Sequence, residues 1–250
     1  MIYYNYISFY FFILFIYPFF GVETFTPLGR LAHSSVLVEN KLYFFGGVYD
    51  DGTSSNEVFY LDVSQQFNIR LPTFIDITTT SGMPFRSSWG TFLLSDINNE
   101  QIIYLFGGVT NDLVTHQHLS TSLVHTFNPK LGQWDAAVIT GKQPGNRREI
   151  QGIIDDFGKI YIFGGFADLL IGSNIVKFFN EMVILNTNNL TWSYGSFALM
   201  RLYGHTATLL SDGTIVYIGG VEITVDNNFR KVDMNQINLY DTKLNTVLGQ

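Results

Sequence analysis

The sequence predicts an all-β fold built from four repeated units of four short strands each. The first observation is a pair of adjacent glycines that recurs at intervals of 61, 57 and 55 residues. The second is that each pair ends an apolar and aromatic run, which is typical of a strand buried on both faces. Repeats of this length, periodic in glycine and aromatic residues, are typical of the blades of a β-propeller. The four pairs are Gly46-Gly47, Gly107-Gly108, Gly164-Gly165 and Gly219-Gly220.

Each unit presents its predicted strands, A to D, in the same order. Strand A follows an arginine, a short polar turn leads to the aromatic strand B, and the glycine pair follows strand B. Strand C ends in an apolar residue and Asp or Asn, and Trp134 and Trp192 stand in strand D of the second and third units. The same offset falls beside Phe67 in the first unit and on Val247 in the last. The units are predicted at residues 30–74, 86–140, 147–197 and 201–250.

This order of residues resembles the kelch repeat, and the resemblance extends from residue 30 to residue 250. It implies a kelch-type β-propeller with four recognisable blades, in which the glycine pairs are structural because they allow a close approach of backbone. The first unit departs from the pattern by lacking its tryptophan, and in the second unit Trp89 replaces the histidine. Kelch-like rings usually have more than four blades. The resemblance therefore leaves two alternatives, a closed four-bladed ring and an incomplete ring.

Residues 1–21 are predicted to lie outside the propeller, as a signal peptide or an N-terminal membrane anchor. Residues 2–20 carry no charged side chain, and 11 of them are aromatic. A short uninterrupted apolar core favours a cleaved signal, while the length of the run keeps a membrane tether through residues 2–20 as the alternative. Both alternatives predict a secreted or cell-surface protein with the propeller at residues 22–250. In such a protein Asn189, which begins the sequon Asn189-Leu190-Thr191, is a candidate for glycosylation.

Composition excludes several classes of function. The formal charge is -7 and no run of Lys or Arg occurs, which argues against nucleic acid as a partner. The chain has no cysteine, which excludes thiolate metal sites. The same lack excludes the copper-radical site of galactose-oxidase-like propellers, because that site needs a tyrosine linked to a cysteine. We therefore expect no cofactor and no bound metal.

One rim of the predicted ring carries the long connections. In an up-and-down blade the B–C loops and the links between blades emerge on the rim opposite the A–B and C–D turns. The A–B and C–D turns are mostly three to six residues long, whereas the B–C loops cover about residues 49–56, 110–121, 167–177 and 222–235. Long loops concentrated on one side of a repeat array predict its binding side.

Charged and polar residues of this rim are the candidate ligand-binding residues. An arginine opens every unit, and guanidinium groups around a ring suit the carboxylates of a peptide or an acidic sugar. The alternative implied by the family resemblance is that these arginines brace neighbouring backbone. In the second B–C loop, His116 and His118 are candidates for a pair of imidazoles on one side of an extended segment, with a solvated loop as the alternative. The arginines are Arg30, Arg86, Arg147, Arg148 and Arg201.

These observations predict a non-catalytic binding or scaffold propeller that presents its B–C loops to a protein, peptide or glycan outside the cytosol. The first alternative is a carbohydrate-active enzyme of the mutarotase or epimerase type, with acid and base side chains at the central cavity. The second alternative is the front portion of a longer membrane receptor. We do not expect an enzyme.

Overall fold

The computed structural model of the chain describes residues 25–97, 100–119, 122–198, 200–224 and 226–248. The predicted signal peptide or membrane anchor at residues 1–21 lies outside these residues. Within them the prediction of an all-β fold with four four-stranded blades is confirmed, because four antiparallel sheets follow one another with their strands in the order A-B-C-D. A search of the same residues finds no helix of the length and apolarity needed to cross a membrane.

Each large sheet is one blade, numbered 1 to 4 along the chain. Blade 1 contains β1 (Ser34–Val38), β2 (Lys41–Phe45), β3 (Val58–Asp62) and β4 (Phe74–Asp76). Blade 2 contains β6 (Thr91–Ile97), β7 (Glu100–Phe106), β9 (Val124–Asn128) and β10 (Gln133–Ala136). Blade 3 contains β11 (Gly152–Ile154), β12 (Lys159–Phe163), β15 (Glu181–Asn186) and β16 (Thr191–Phe197). Blade 4 contains β18 (Thr206–Leu209), β19 (Thr214–Ile218), β22 (Ile237–Asp241) and β23 (Thr246–Leu248).

Small sheets form at the B–C loops. In blades 2 and 4 the segment before strand A takes part: β5 (Arg86–Ser88) pairs with β8 (Val109–Asn111), and β17 (Arg201–Tyr203) pairs with β20 (Val221–Ile223), which also pairs with β21 (Phe229–Lys231). In blade 3 two strands of the loop itself pair, β13 (Phe166–Ala167) with β14 (Lys177–Phe178), and the segment before strand A joins them through an isolated bridge between Arg148 and Phe166. Blade 1 has an isolated bridge between Leu31 and Val48 at the same place. The described residues also include one short α-helix, Thr78–Ser81, and a 3-10 turn, Leu169–Ile171.

Strand D of blade 1 differs from its predicted position. The equivalent of Trp134 and Trp192 is Phe74, because Phe74 pairs with Leu61 as Trp134 pairs with Phe127. The sequence offset pointed instead beside Phe67, which is 43% exposed. The reason is a longer C–D connection, residues 63–73, in this blade alone among the four.

Each pair of consecutive blades shares its own apolar core. Successive side chains of a strand point to opposite faces, so strand B of blade 3 sends Ile160 and Ile162 into the core shared with blade 2, and Tyr161 and Phe163 into the core shared with blade 4. The core of blades 1 and 2 is rich in aromatic rings, with the Phe45 ring stacked on the ring of Phe92 at a centroid distance of 4.6 Å. Burial of these faces holds the blades side by side.

The glycine pairs let the backbone of the next blade come close. A Cβ atom on Gly46 would lie 2.2 Å from the carbonyl oxygen of Ser87, and one on Gly164 would lie 2.1 Å from that of Leu202. Both glycines also have a positive φ, 59° and 66°, which other residues adopt at a cost. In blades 1 to 3 the second glycine of the pair donates its N–H to the same carbonyl, in the bonds Gly47 to Ser87, Gly108 to Arg147 and Gly165 to Leu202.

Replacing Gly164 by Ala is expected to destabilise the fold by at least about 2 kcal/mol more than replacing Gly52 by Ala. Gly52 has a similar backbone conformation, φ 82°, but a Cβ there meets no atom within 4 Å. The difference between the two variants therefore measures the steric conflict with the Leu202 carbonyl rather than the cost of the positive φ. Urea unfolding of both variants gives this difference. Equal losses would contradict the assigned role of the glycine pair.

A chain of backbone hydrogen bonds joins the four blades around the central channel. Ala32, Trp89, Glu149 and Gly204 stand one residue before the histidine position of each blade, and all four have a positive φ. The N–H of Trp89 donates to the carbonyl of Ala32 at 3.0 Å, that of Glu149 to Trp89 at 3.2 Å, and that of Gly204 to Glu149 at 3.0 Å. Trp89 therefore does not replace the histidine of blade 2. That position is held by Gly90, one residue later.

Candidate functional site

The B–C rim is organised by backbone pairing rather than by long irregular loops. The connections between strands B and C are residues 46–57, 107–123, 164–180 and 219–236. Each connection pairs with the segment that precedes strand A of its own blade, as Ser87 pairs with Thr110 and Leu202 with Glu222. The segments that carry the five candidate arginines and the long loops consequently lie on the same rim.

The five arginines occupy three different positions on this rim. Counted back from the residue with positive φ in each blade, Arg30 and Arg147 stand two residues before it, Arg148 one before it, and Arg86 and Arg201 three before it. The expectation of one equivalent arginine in every blade is therefore wrong in its detail. A signal for the difference is in the spacing, since Arg30 is three residues before His33 while Arg201 is four residues before His205.

Arg30 and Arg147 brace the rim from inside. The guanidinium of Arg147 is fully buried, donates to the carbonyl of Gly164 at 3.2 Å and forms an ion pair with Glu181. It also stacks on the ring of Phe179, 3.8 Å from its centroid. Burial lowers the pKa of Arg147, and the Glu181 carboxylate opposes that effect. Arg30 makes the same contacts in blade 1, to the carbonyl of Gly46 and the carboxylate of Glu57.

Arg148 is also neutralised by neighbouring side chains. Its guanidinium pairs with Asp168 at 2.6 Å and with Glu149 at 2.7 Å, and it lies 4.2 Å from the centre of the Phe166 ring. Burial raises the pKa of Glu149, while the charge of Arg148 lowers it. This network fixes Glu149 at the edge of the central channel.

Arg86 and Arg201 have only neutral partners among the described residues. Arg86 donates to the carbonyl of Ser54 at 2.9 Å and weakly to that of Leu113, at 3.3 and 3.4 Å. Arg201 donates to the carbonyl of Thr224 at 2.8 Å and to the side chain of Asn227. In the part of the chain that the structure describes, neither guanidinium has a carboxylate oxygen within 4.0 Å. Each leaves a positive charge on the rim.

Arg86 lines a cavity of about 390 Å³ between the loops of blades 1, 2 and 3. Trp89 contributes an aromatic wall, and Asp51, Asn111 and His116 contribute polar groups. Hydrogen bonds from Thr53 lower the pKa of Asp51, and the charge of Arg86 adds to this effect. Sequence reasoning did not find Trp89, Asp51 or Asn111 as cavity residues, because they come from three separate segments that only the ring brings together.

His116 and His118 lie in different cavities. His116 is exposed beside the Arg86 cavity, whereas His118 lines a smaller cavity of about 190 Å³ together with His125. Buried nitrogens of His118 (Nδ1) and His125 (Nε2) have no hydrogen-bond partner among the described residues. No cluster of three or more His, Asp or Glu side chains suited to a metal ion occurs in the residues described. His125 was not singled out in the sequence because it lies inside a predicted strand.

The central channel opens at this rim into a cavity of about 570 Å³. Residues at and just before strand A of the blades line it, and its polar members include the hydroxyl residues Ser34, Ser35 and Thr91 as well as His33, Glu149, Gln151 and His205. His205 lies between the rings of Phe163 and Tyr217, and burial lowers its pKa to about 4. The imidazole is therefore neutral at physiological pH. Since Glu149 is already paired with Arg148, the carboxylate that an acid–base mechanism would need is engaged in an ion pair.

The sequon lies on the opposite rim from these cavities. Asn189 stands in the C–D turn of blade 3, where its side chain is exposed and accepts a hydrogen bond from the Thr191 hydroxyl at 2.6 Å.

Comparison with known proteins places the chain among propellers with kelch repeats. It is 24% identical over 213 residues to the host cell factor homolog hcf-1 of Caenorhabditis elegans, a match that covers 79% of this chain and 26% of that protein. It is also 24% identical over 229 residues to kelch domain-containing protein 3 of Mus musculus, covering 86% of this chain and 55% of that protein. The chain thus spans about a quarter to about half of these curated relatives.

A solved structure and a family model agree with this placement. The structure described as that of YjhT superposes with a TM-score of 0.59 at 14% identity, over 84% of this chain and 67% of that one, which shows the fold. The model of the Attractin/LZTR1 β-propeller matches residues 20–248. The resemblance predicted from the repeats is confirmed: the chain belongs to the Attractin/LZTR1 β-propeller family and is a kelch-type propeller.

Proposed function

We propose that the chain is a protein-interaction propeller whose Arg86 cavity binds an acidic segment of a partner protein. Its similarity to kelch and host cell factor proteins supports a non-catalytic interaction role. The observation that carries the proposed site is the contrast among the arginines. Arg30, Arg147 and Arg148 form ion pairs with carboxylates, whereas Arg86 faces a cavity and, among the residues that the structure describes, donates only to backbone carbonyls.

The cavity has the chemistry to hold a carboxylate and the backbone around it. Two Arg86 nitrogens, Nε and one terminal nitrogen, make long bonds to the Leu113 carbonyl, and a ligand carboxylate would replace them with two short charge-assisted bonds. Trp89 offers an apolar face to a neighbouring side chain. Asp51 and Asn111 on the wall would accept hydrogen bonds from backbone amides of the same segment.

Replacing Arg86 by Met is expected to weaken binding of acidic peptides by about 10- to 100-fold. The probes are peptides selected from a randomised library on the full chain, each compared with a version in which Gln or Asn replaces its Glu or Asp, with affinities measured by fluorescence anisotropy. Arg201→Met is the matched control, because Arg201 takes the same position in blade 4, outside the cavity. Selected peptides that bind equally well after the amide replacement would contradict the proposal. If the chain binds acidic oligosaccharides but no acidic peptide, the proposal of a protein partner is wrong and the ligand is a glycan.

We also propose that this interaction takes place outside the cytosol, in a secreted or membrane-tethered protein. Residues 2–20, with their 11 aromatic residues, support export, and the exposed position of Asn189 supports glycosylation there. N-terminal sequencing of the chain made in eukaryotic cells, together with the mobility of Asn189→Gln after endoglycosidase treatment, tests this part. A chain that keeps Met1 in the cytosol would overturn it.

A further inference from the structure

The B–C connection of blade 3 contains a hairpin loop with an exposed apolar surface. Its two short strands, β13 and β14, pair with each other, and residues 168–176 form the loop between them. From Leu169 to Val176 the sequence carries no charged side chain. Four side chains of this loop are large, aliphatic and more than half exposed, namely Leu169, Leu170, Ile175 and Val176. Exposed apolar side chains that lie together on a protein surface typically mark an interaction site.

This surface belongs to a blade whose two neighbours are both present in the chain. Blade 3 packs on blade 2 through one apolar core and on blade 4 through another, so both of its faces are covered. The hairpin loop lies on the B–C rim, away from these faces. It is therefore not a face left open for a neighbouring blade.

The hairpin loop holds its apolar side chains in a fixed position. The Asp168 carboxylate accepts a hydrogen bond from the Leu170 N–H at 3.2 Å. Gly172 ends the 3-10 turn with a φ of 74°, and a Cβ there would lie 2.5 Å from the His118 ring, so the loop packs closely on the B–C loop of blade 2. Ile171, in the same turn, is buried and fixes the loop to the rim. A surface that is ordered before binding loses little conformational entropy when a partner binds.

The apolar surface of the hairpin loop is continuous with the Arg86 cavity. Leu170 and Arg86 both line that cavity. On the B–C loop of blade 2, the carbonyl of Leu113 accepts the long hydrogen bonds from Arg86, and the side chain of the next residue, Val114, is 85% exposed. A guanidinium without a carboxylate partner among the described residues and large aliphatic side chains therefore lie next to each other on one rim.

We infer that the acidic segment bound at Arg86 carries a large apolar residue beside its carboxylate residue, and that this apolar side chain packs on Leu170 and the rest of the hairpin loop. The inference rests on the proposed function, because the carboxylate positions the segment. The pair with Arg86 fixes the register of the segment, and burial of the apolar side chain against the loop adds affinity. Leucine, isoleucine, methionine and phenylalanine have the required size. The charge and the apolar surface together define the sequence that the site recognises.

A protein segment fits this surface better than a lipid bilayer does. Leu170 and Arg86 line a cavity, which accepts a protruding chain, whereas a bilayer presents a flat surface. Asp51 on the cavity wall and Asp112 on the B–C loop of blade 2 accept hydrogen bonds that lower the pKa of both carboxyl groups and keep them charged. Removing these charges from water at a bilayer would cost free energy. The formal charge of -7 also opposes binding to anionic lipids.

Replacing Leu170 by Gln is expected to weaken binding of the selected acidic peptides by about 5- to 20-fold, because the apolar contact is lost while Arg86 stays in place. Leu244→Gln is the matched control, since Leu244 is 70% exposed in the C–D turn of blade 4, on the opposite rim. Each peptide is compared with a version in which Ser replaces the large apolar residue beside its Glu or Asp. Fluorescence anisotropy of the wild-type chain and Leu170→Gln with both peptide versions gives a double-mutant cycle. Leu170→Gln should have no effect on binding of the Ser version.

The outcomes separate this inference from the proposed function. If Arg86→Met weakens binding while Leu170→Gln leaves it unchanged, or if the two changes in the cycle are additive, the carboxylate site stands and the apolar contact is wrong. If Arg86→Met leaves binding unchanged, the proposed function fails and this inference fails with it. If the wild-type chain cosediments with vesicles of phosphatidylcholine and phosphatidylserine and Leu170→Gln abolishes that binding, the hairpin loop is a lipid contact and the inference is overturned.

Discussion

Replacing Arg147 by Met is expected to lower the free energy of unfolding by about 3 to 5 kcal/mol, the cost of removing one partner from a buried ion pair. The substitution leaves the Glu181 carboxylate, whose side chain is only 21% exposed, without its partner. It also leaves the carbonyls of Gly145 and Gly164 without the donors that Arg147 provides. Urea unfolding followed by tryptophan fluorescence measures the loss.

Arg86→Met is the comparison for this result, because Arg86 is only partly buried and has no ion pair in the described part of the chain. Its loss is expected to cost about 1 kcal/mol. Adding Glu181→Leu to Arg147→Met should recover part of the stability, since the stranded carboxylate is then removed. If Arg147→Met and Arg86→Met lower the free energy of unfolding equally, the buried Arg147 does not stabilise the fold more than the partly buried Arg86, which contradicts the prediction.

The second large effect is a loss of stability in acid that depends on His205. Burial lowers the pKa of this imidazole to about 4 in the folded chain, from 6.5. Between these two values the unfolded chain binds a proton that the folded chain does not, so stability falls as the pH is lowered through this window. The full change corresponds to about 3 kcal/mol. Above pH 6.5 the contribution is constant.

The measurement compares the wild-type chain with His205→Leu at about pH 7 and about pH 4.5. Leucine keeps an apolar side chain beside Phe163 and Tyr217 and removes the titrating group. The variant is expected to lose less stability than the wild type over this range. His33 provides an internal contrast because its side chain is exposed, whereas that of His205 is buried; partial burial and the charge of Arg30 lower the pKa of His33. If the wild type and His205→Leu lose the same free energy of unfolding between these two pH values, protonation of His205 does not cause the loss of stability in acid.

Local patterns in the sequence were enough to find the blades, because each strand is marked by residues a few positions apart. The glycine pairs mark the end of strand B, and Trp134 and Trp192 mark strand D. These signals are short-range, and the sheets form where they indicate. Phe74, the strand D residue of blade 1, does not lie at the predicted offset. It follows a long C–D connection, and the length of that connection cannot be predicted from neighbouring residues.

The candidate site was less accessible to sequence reasoning, because it depends on which segments the ring brings together. Arg86 and Arg147 both precede a strand A, yet one lines a cavity and the other is buried, since a difference of one residue in the spacing turns the side chain to another partner. Asp51, from a neighbouring blade, joins Arg86 through the arrangement of the blades alone. The spacing of residues in the sequence predicts the strands. Contacts between residues of different blades can be identified only from the folded structure.

The main-chain bonds through Ala32, Trp89, Glu149 and Gly204 separate scaffold from chemistry. These hydrogen bonds join peptide groups only, so they do not depend on the side chain at each position. The four equivalent positions carry the side chains of alanine, tryptophan, glutamate and glycine. The mouth of the channel can therefore change its polarity by substitution without a change in the bonds that hold it together. These four positions are therefore suitable sites for engineered substitutions. Asparagine tolerates a positive φ, so it is the first choice for adding a hydrogen-bonding side chain there.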